Sequence, residues 1–217
     1  MAAPFRFFTR LNLVELLGRK AKDVPELLAG LRKVPGSSIY YHTHRFLQQH
    51  HYLSPEPPND FAFWVTGSLG LDALGERLAS VDTIKFHRLG DLREKYIEIL
   101  EAHLKNNNSA RRSECPEGEE FHFMSCRTFI LPAHHEARDL KEFLGLLSTV
   151  SINSIYFHMF EARLRLGRGD NDFSNWLESL GYPELAQEIS RLDPYTMTLE
   201  GLRERLIQRV KRHVDNH

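Results

Sequence analysis

The sequence predicts a mainly α-helical protein: two homologous helical repeats with approximate two-fold pseudo-symmetry, packed into one body. Three observations carry that expectation. Phe5–His42 aligns without a gap onto Phe121–His158, and twelve of those 38 positions are identical, among them Phe5/Phe121, Phe7/Phe123, Asp23/Asp139, Tyr40/Tyr156 and His42/His158. The match then resumes: Asn59-Asp60-Phe61 with Trp64 meets Asn171-Asp172-Phe173 with Trp176, and Leu92-Arg93 meets Leu202-Arg203. Thirdly, both copies space their leucines for one buried helical face behind helix-start residues. With 41% hydrophobic residues in 217 the chain can bury a core, whereas one repeat alone would be marginal on surface-to-volume grounds. The expected division is residues 1–104, a linker at 105–120, and residues 121–217.

Each repeat opens on a segment with apolar residues at alternate positions, Phe5–Leu13 and Phe121–Phe129. This period predicts an extended piece, with helix as the alternative, and the two copies could pair with each other. Asp23-Val-Pro-Glu26 and Asp139-Leu-Lys-Glu142 follow. An Asp with Glu three residues later starts a helix, because each side chain satisfies a free backbone N–H. Pro25 fits there, where first-turn N–H groups have no helical partner. These helices run to about Val34 and Val150. A second helix begins at Ser37-Ser38 and at Asn153-Ser154 and carries Tyr40 with His42, or Tyr156 with His158. The loops that follow differ, Ser54-Pro-Glu-Pro-Pro58 against Gly167-Arg-Gly169, and both end at Asn-Asp-Phe, which starts a short helix with Trp64 or Trp176. Further helices are expected at about Leu71–Val81 and Leu89–Leu104, and at Pro183–Leu192 and Leu199–His213.

Composition narrows the function classes. Net charge is −1, from 28 basic and 29 acidic side chains, so nothing draws the chain towards nucleic acid or anionic lipid. No apolar run approaches the ~18 residues a membrane span needs. The Met1-Ala-Ala-Pro4 start lacks a signal-peptide pattern, which predicts a cytoplasmic location. Two cysteines, Cys115 and Cys126, make neither a disulfide framework nor a zinc pattern. The chain carries no nucleophile elbow, phosphate loop or dinucleotide fingerprint. No cofactor is expected.

The runs Ser38-Ile-Tyr-Tyr-His-Thr-His44, Asn59-Asp-Phe-Ala-Phe-Trp64, Ser154-Ile-Tyr-Phe-His158 and Asn171-Asp-Phe-Ser-Asn-Trp176 resemble those of a bacterial family of uncharacterised, duplicated helical proteins, a domain of unknown function. The resemblance covers nearly the whole chain. It implies the duplicated helical fold, and because the family has no assigned activity it implies no catalytic residues.

The candidate ligand-binding residues are those polar or aromatic in both copies: Tyr40, His42, Asn59, Asp60 and Trp64, with Tyr156, His158, Asn171, Asp172 and Trp176. His42 and His158 each lie at the edge of a helix's buried face. There they either hydrogen-bond a neighbouring backbone group or form a pair of ligand or catalytic groups near the repeat interface. Metal binding is disfavoured: His42, His44, His50 and His51 lack the three- or four-residue spacing that puts two ligands on one ion. Ligands would have to come from elsewhere, for example Asp60, His87, His134 or His135. In Asn-Asp-Phe-x-x-Trp the Asn or Asp can cap the helix while Phe and Trp pack. Capping needs only one such residue, however, and both copies keep the pair. A second polar group beside an aromatic face is also how a polyol is held. The leading expectation is a non-enzymatic binding or regulatory module for a protein partner or small polar ligand, acting through the inter-repeat groove or the variable loops. The alternative is a small enzyme, metal-assisted or acting on a sugar derivative, using His42, His158, Asp60 and Asp172.

Overall fold

A computed structural model describes residues 2–49, 58–106, 113–162, 170–192 and 197–215. The first half runs β1 (Phe5–Ala21), α1 (Val24–Leu31), α2 (Gly36–Gln49), α3 (Asp60–Gly67), α4 (Asp72–Ala79), a 3-10 turn (Thr83–Lys85) and α5 (Leu89–Asn106). The second runs β2 (Phe121–Ala137), α6 (Leu140–Leu147), α7 (Ile152–Tyr156) continuing into a π turn (Phe157–Glu161), α8 (Asp172–Ser179), α9 (Pro183–Ser190) and α10 (Leu199–Asp215). The protein is therefore mainly helical, with one strand opening each half.

The capping residues behave as their chemistry requires. Asp23 accepts from the Glu26 N–H at 2.7 Å while Glu26 reaches back to the Lys22 N–H at 3.0 Å. Asp139 and Glu142 repeat this, with Arg138 N–H as the donor to Glu142. Arg93 donates to the Val34 carbonyl and Arg203 to the Val150 carbonyl, so the duplicated arginines close the turns after α1 and α6.

The strands depart from expectation in length: each spans 17 residues, not the nine-residue openings, and β1 pairs with β2 in a two-stranded ribbon. Arg6 pairs with Glu136 and Glu15 with Arg127, so β2 numbering falls as β1 numbering rises and the ribbon is antiparallel. Gly18 and His134 are counterparts, and both take positive φ, +66° and +56°. A left-handed residue inside a strand bends it locally, as a bulge does.

The chain also forms two compact units that cut across sequence order. One is built mainly on residues 12–50 and 54–127, the other on residues 1–11 and 128–217. In the first, Val24, Leu27 and Leu31 of α1, Phe61 and Val65 of α3, Leu74, Leu78, and Tyr96 and Leu100 of α5 pack around Phe121 and Phe123 of β2. Gly30 is what lets that strand approach: a Cβ there would lie 2.2 Å from the Phe123 ring. In the second unit, Phe143, Leu147, Ile155, Phe173, Leu177, Leu185, Ile189, Leu202 and Leu206 pack around Phe5 and Phe7 of β1. Each half's opening strand thus completes the core of the other half's helices. The expected linker, 105–120, lies partly outside the described residues. Its later part is tied to the first unit by the Cys115 N–H, which donates to the Lys22 carbonyl at 2.8 Å.

Candidate functional site

The duplicated polar residues converge on the strand that enters their unit. In the first unit Asn59 caps α3 by accepting from the Ala62 N–H at 2.9 Å, and its amide donates to the Leu78 carbonyl. Asp60, the next residue, takes His42 Nδ1 at 2.7 Å. The far ring nitrogen, Nε2, accepts the Met124 N–H of β2 at 2.9 Å. Trp64 Nε1 donates to the Glu119 carbonyl, just ahead of β2. The imidazole is 2% exposed and is packed by Phe61, Phe121 and Phe123.

The second unit repeats these contacts. Asn171 caps α8 through the Ser174 N–H, and Ser174 returns a bond to the Asn171 N–H in a full capping box. Asp172 meets His158 Nδ1 at 2.7 Å, and His158 Nε2 accepts the Phe8 N–H of β1 at 2.8 Å. Trp176 Nε1 donates to the Ala3 carbonyl, and the Ser154 hydroxyl donates to the Phe8 carbonyl. Phe8 and Met124 are themselves counterparts, as are Ala3 and Glu119.

This explains why both copies keep Asn and Asp together. The Asn starts the helix and the adjacent Asp orients a histidine. A backbone N–H can only donate, so Nε2 must be the acceptor and Nδ1 carries the ring proton towards the carboxylate. A general base needs a free Nε2 within reach of substrate, with the carboxylate behind it. Here the same atom is filled by the incoming strand, and a metal would find no lone pair on either ring nitrogen. Histidine, aspartate and tryptophan together act as a latch on backbone.

Tyr40 stacks on His44 with ring centres 5.5 Å apart, and Tyr156 carries the Arg10 guanidinium over its face at 4.9 Å. Arg10 is 4% exposed and ion-paired with Glu161, an arrangement that alternation in β1 gave no sign of. Cys126 stands at Arg10's counterpart and is also buried. His50, His51 and most of the loops at Ser54–Asn59 and Gly167–Asn171 lie outside the described residues. Among the described residues no three His, Cys, Asp or Glu side chains are grouped to hold an ion, and no helix is long and apolar enough to cross a membrane.

Two further surfaces went unread in the sequence. α8 and α9 flank an open groove of about 490 Å³ lined by Asp170, Asn175, Glu178, Glu184 and Gln187. The ribbon exposes large apolar side chains, Leu11, Leu13, Val14 and Leu16 of β1 and Phe129, Ile130 and Leu131 of β2, each 45–58% exposed. Their sequence signal was adjacent apolar residues, Leu13-Val14 and Leu16-Leu17 in β1 and Phe129-Ile130-Leu131 in β2, which alternation would have placed on opposite faces.

Known proteins add the following. The solved structure of OrfY from Thermoproteus tenax, an archaeal protein, is similar with a TM-score of 0.81 and 27% identity, over 97% of this chain and 95% of that one. The sequence suggested a bacterial family, whereas this similar structure is archaeal. No curated protein matches the chain. A family profile does match it, over residues 2–211, and the chain belongs to that family, DUF5752, a family of unknown function.

Proposed function

We propose that the chain is a non-enzymatic binding or regulatory module, made of two copies of one ancestral unit, that engages a protein partner along the β1–β2 ribbon. The observation that carries this reading is the row of exposed apolar side chains on that ribbon, from Leu11 to Leu16 and from Phe129 to Leu131. A strand with one solvated face normally alternates apolar with polar residues, and large apolar side chains gathered at the surface mark an interaction site. The saturated His42–Asp60 and His158–Asp172 pairs speak against the enzyme alternative, since their chemistry is spent on holding strands. A second reading, a small polar or cationic ligand, is favoured by the carboxylates and amides of the α8–α9 groove.

The test is a photo-crosslinking amino acid placed at Leu13 or Ile130 and irradiated in cells of the native host. Protein adducts should form there and be absent when the same group replaces exposed Lys141 or Glu204. No adduct at either ribbon position would overturn the proposal.

A further inference from the structure

We infer that each latch is a proton-sensitive catch: protonation of His42 releases β2 from the core of the first unit, and protonation of His158 releases β1 from that of the second. The device regulates the fold itself and does not depend on what the ribbon binds.

The chemistry follows from which atom does the holding. In both units Nε2 accepts a strand N–H, from Met124 at 2.9 Å and from Phe8 at 2.8 Å. Nδ1 already carries a proton towards Asp60 or Asp172, 2.7 Å away in each case. A second proton makes both ring nitrogens donors, so an N–H would face an N–H at hydrogen-bond distance. Latched strand and imidazolium therefore exclude each other.

The neighbours decide what becomes of the charge. Against His42 stand Asp60 of α3 and, on its own helix, Tyr41, whose surroundings include Arg45 and Cys126. His44 is bonded to Thr43, His122 of β2 is exposed, and Tyr96 of α5 lies behind Phe61. Against His158 stand Asp172 of α8 and the rings of Phe5, Phe7, Phe8, Phe157 and Phe173. Arg10 of β1 and Glu161 of the π turn pair with each other, and Arg6 pairs with Glu136 at the surface. Each carboxylate keeps an edge in water, 33% exposed for Asp60 and 20% for Asp172, and can hold the imidazolium once the strand has gone. The rings themselves are 2% exposed, so a proton reaches Nε2 when the strand lifts and then prevents its return.

The latched state is the neutral one, so it is favoured above the ordinary imidazole pKa of about 6.5 and loses ground below it. An imidazole freed beside a carboxylate titrates at or above that value. The open fraction of each strand should thus rise at least about 30-fold from pH 7.5 to pH 5.0, at about tenfold per pH unit below 6.5.

The test is hydrogen exchange of the full chain, read by mass spectrometry over that pH range with the intrinsic pH dependence of exchange divided out. Protection of residues 5–11 and 121–127 should fall about 30-fold in wild type. In His42→Gln an amide oxygen can still accept the Met124 N–H but does not titrate. That variant should lose the pH response in residues 121–127 and keep it in residues 5–11, and His158→Gln should do the converse. Wild-type protection that varies by less than about threefold overturns the inference, because release by protonation requires the larger change. So does a folded His42→Gln whose residues 121–127 still respond. Should the variants misfold, nitrogen-15 NMR of the wild-type rings decides: Nε2 of His42 and of His158 must gain its proton over the interval in which protection falls. Rings that stay neutral, or that titrate while the Met124 and Phe8 amides keep their protection, overturn it.

Discussion

Phe7→Ala tests the exchange of strands most directly. By sequence order Phe7 belongs to the first half, yet it is 1% exposed within the core of α6 to α10. Its ring lies 5.8 Å from Phe143 and 6.0 Å from Phe173, centre to centre. Relative to alanine it buries roughly 100 Å² more apolar surface, about 2.5 kcal/mol at ~25 cal/mol per Å². A residual cavity of roughly 80 Å³ at ~24 cal/mol per Å³ adds about 2 kcal/mol. The loss of about 4 kcal/mol is a large part of the ~5–15 kcal/mol that holds a domain folded. Hydrogen exchange read by mass spectrometry should therefore show amides of α6, α8 and α10 exchanging up to ~10³-fold faster, at about 1.4 kcal/mol per decade. Phe123→Ala should do the same to α1, α3 and α5. If Phe7→Ala instead loosens α1 to α5 while α6 to α10 keep their protection, the assignment of β1 to the second unit is wrong.

Four further substitutions have definite signs. Gly30→Ala should gain ~1 kcal/mol in helix propensity but lose more by forcing its Cβ to within 2.2 Å of the buried Phe123 ring. A net loss of about 1–2 kcal/mol in a urea titration is expected, whereas Gly145→Ala, with open space around it, should stabilise. Tyr96→Phe should be neutral or stabilise by about 1 kcal/mol, because the hydroxyl is buried without a hydrogen-bond partner among the described residues. The same burial pushes the Tyr96 phenol up from its ordinary pKa. A lowered melting temperature would show that the hydroxyl has a partner after all. Gly18→Ala should cost about 1 kcal/mol from its positive φ alone, since no atom of the described residues lies within 4 Å of the new Cβ. An unchanged denaturation midpoint would mean that β1 can straighten there.

Much of the helical scaffold was legible because its signals are local. Asp23, Asp139, Asn59 and Asn171 each satisfy a backbone N–H within three residues, so their role could be read from spacing alone. The strands were legible only while they alternated. Beyond Leu13 and Phe129 apolar residues become adjacent and charged ones follow, the two-residue period disappears, and nothing local marks the remaining eight residues of each. The latch was half legible: pairing of His42, Asn59, Asp60 and Trp64 with their counterparts drew attention to the side chains that form it, though as candidate ligand-binding residues. What they hold, the backbone of Met124 and Glu119, lies 82 and 55 residues away from His42 and Trp64. Backbone atoms carry no side-chain identity for a sequence to display. The division into 1–104 and 121–217 follows the alignment, whereas the units follow where Phe5, Phe7, Phe121 and Phe123 are buried.

The exchanged strands set an order of events on the ribosome. Helices α1 to α5 are complete at Asn106, but the core they surround waits for Phe121 and Phe123. At ~5–20 residues per second that pause is on the order of one to a few seconds. The opposite strand waits far longer. Phe5 and Phe7 precede every helix of their core and are buried by it only when α10 has been made. The nascent chain therefore carries these phenylalanines unclaimed from β1 to α10, and stalling or cleavage between Asn106 and Phe121 leaves both units without a strand.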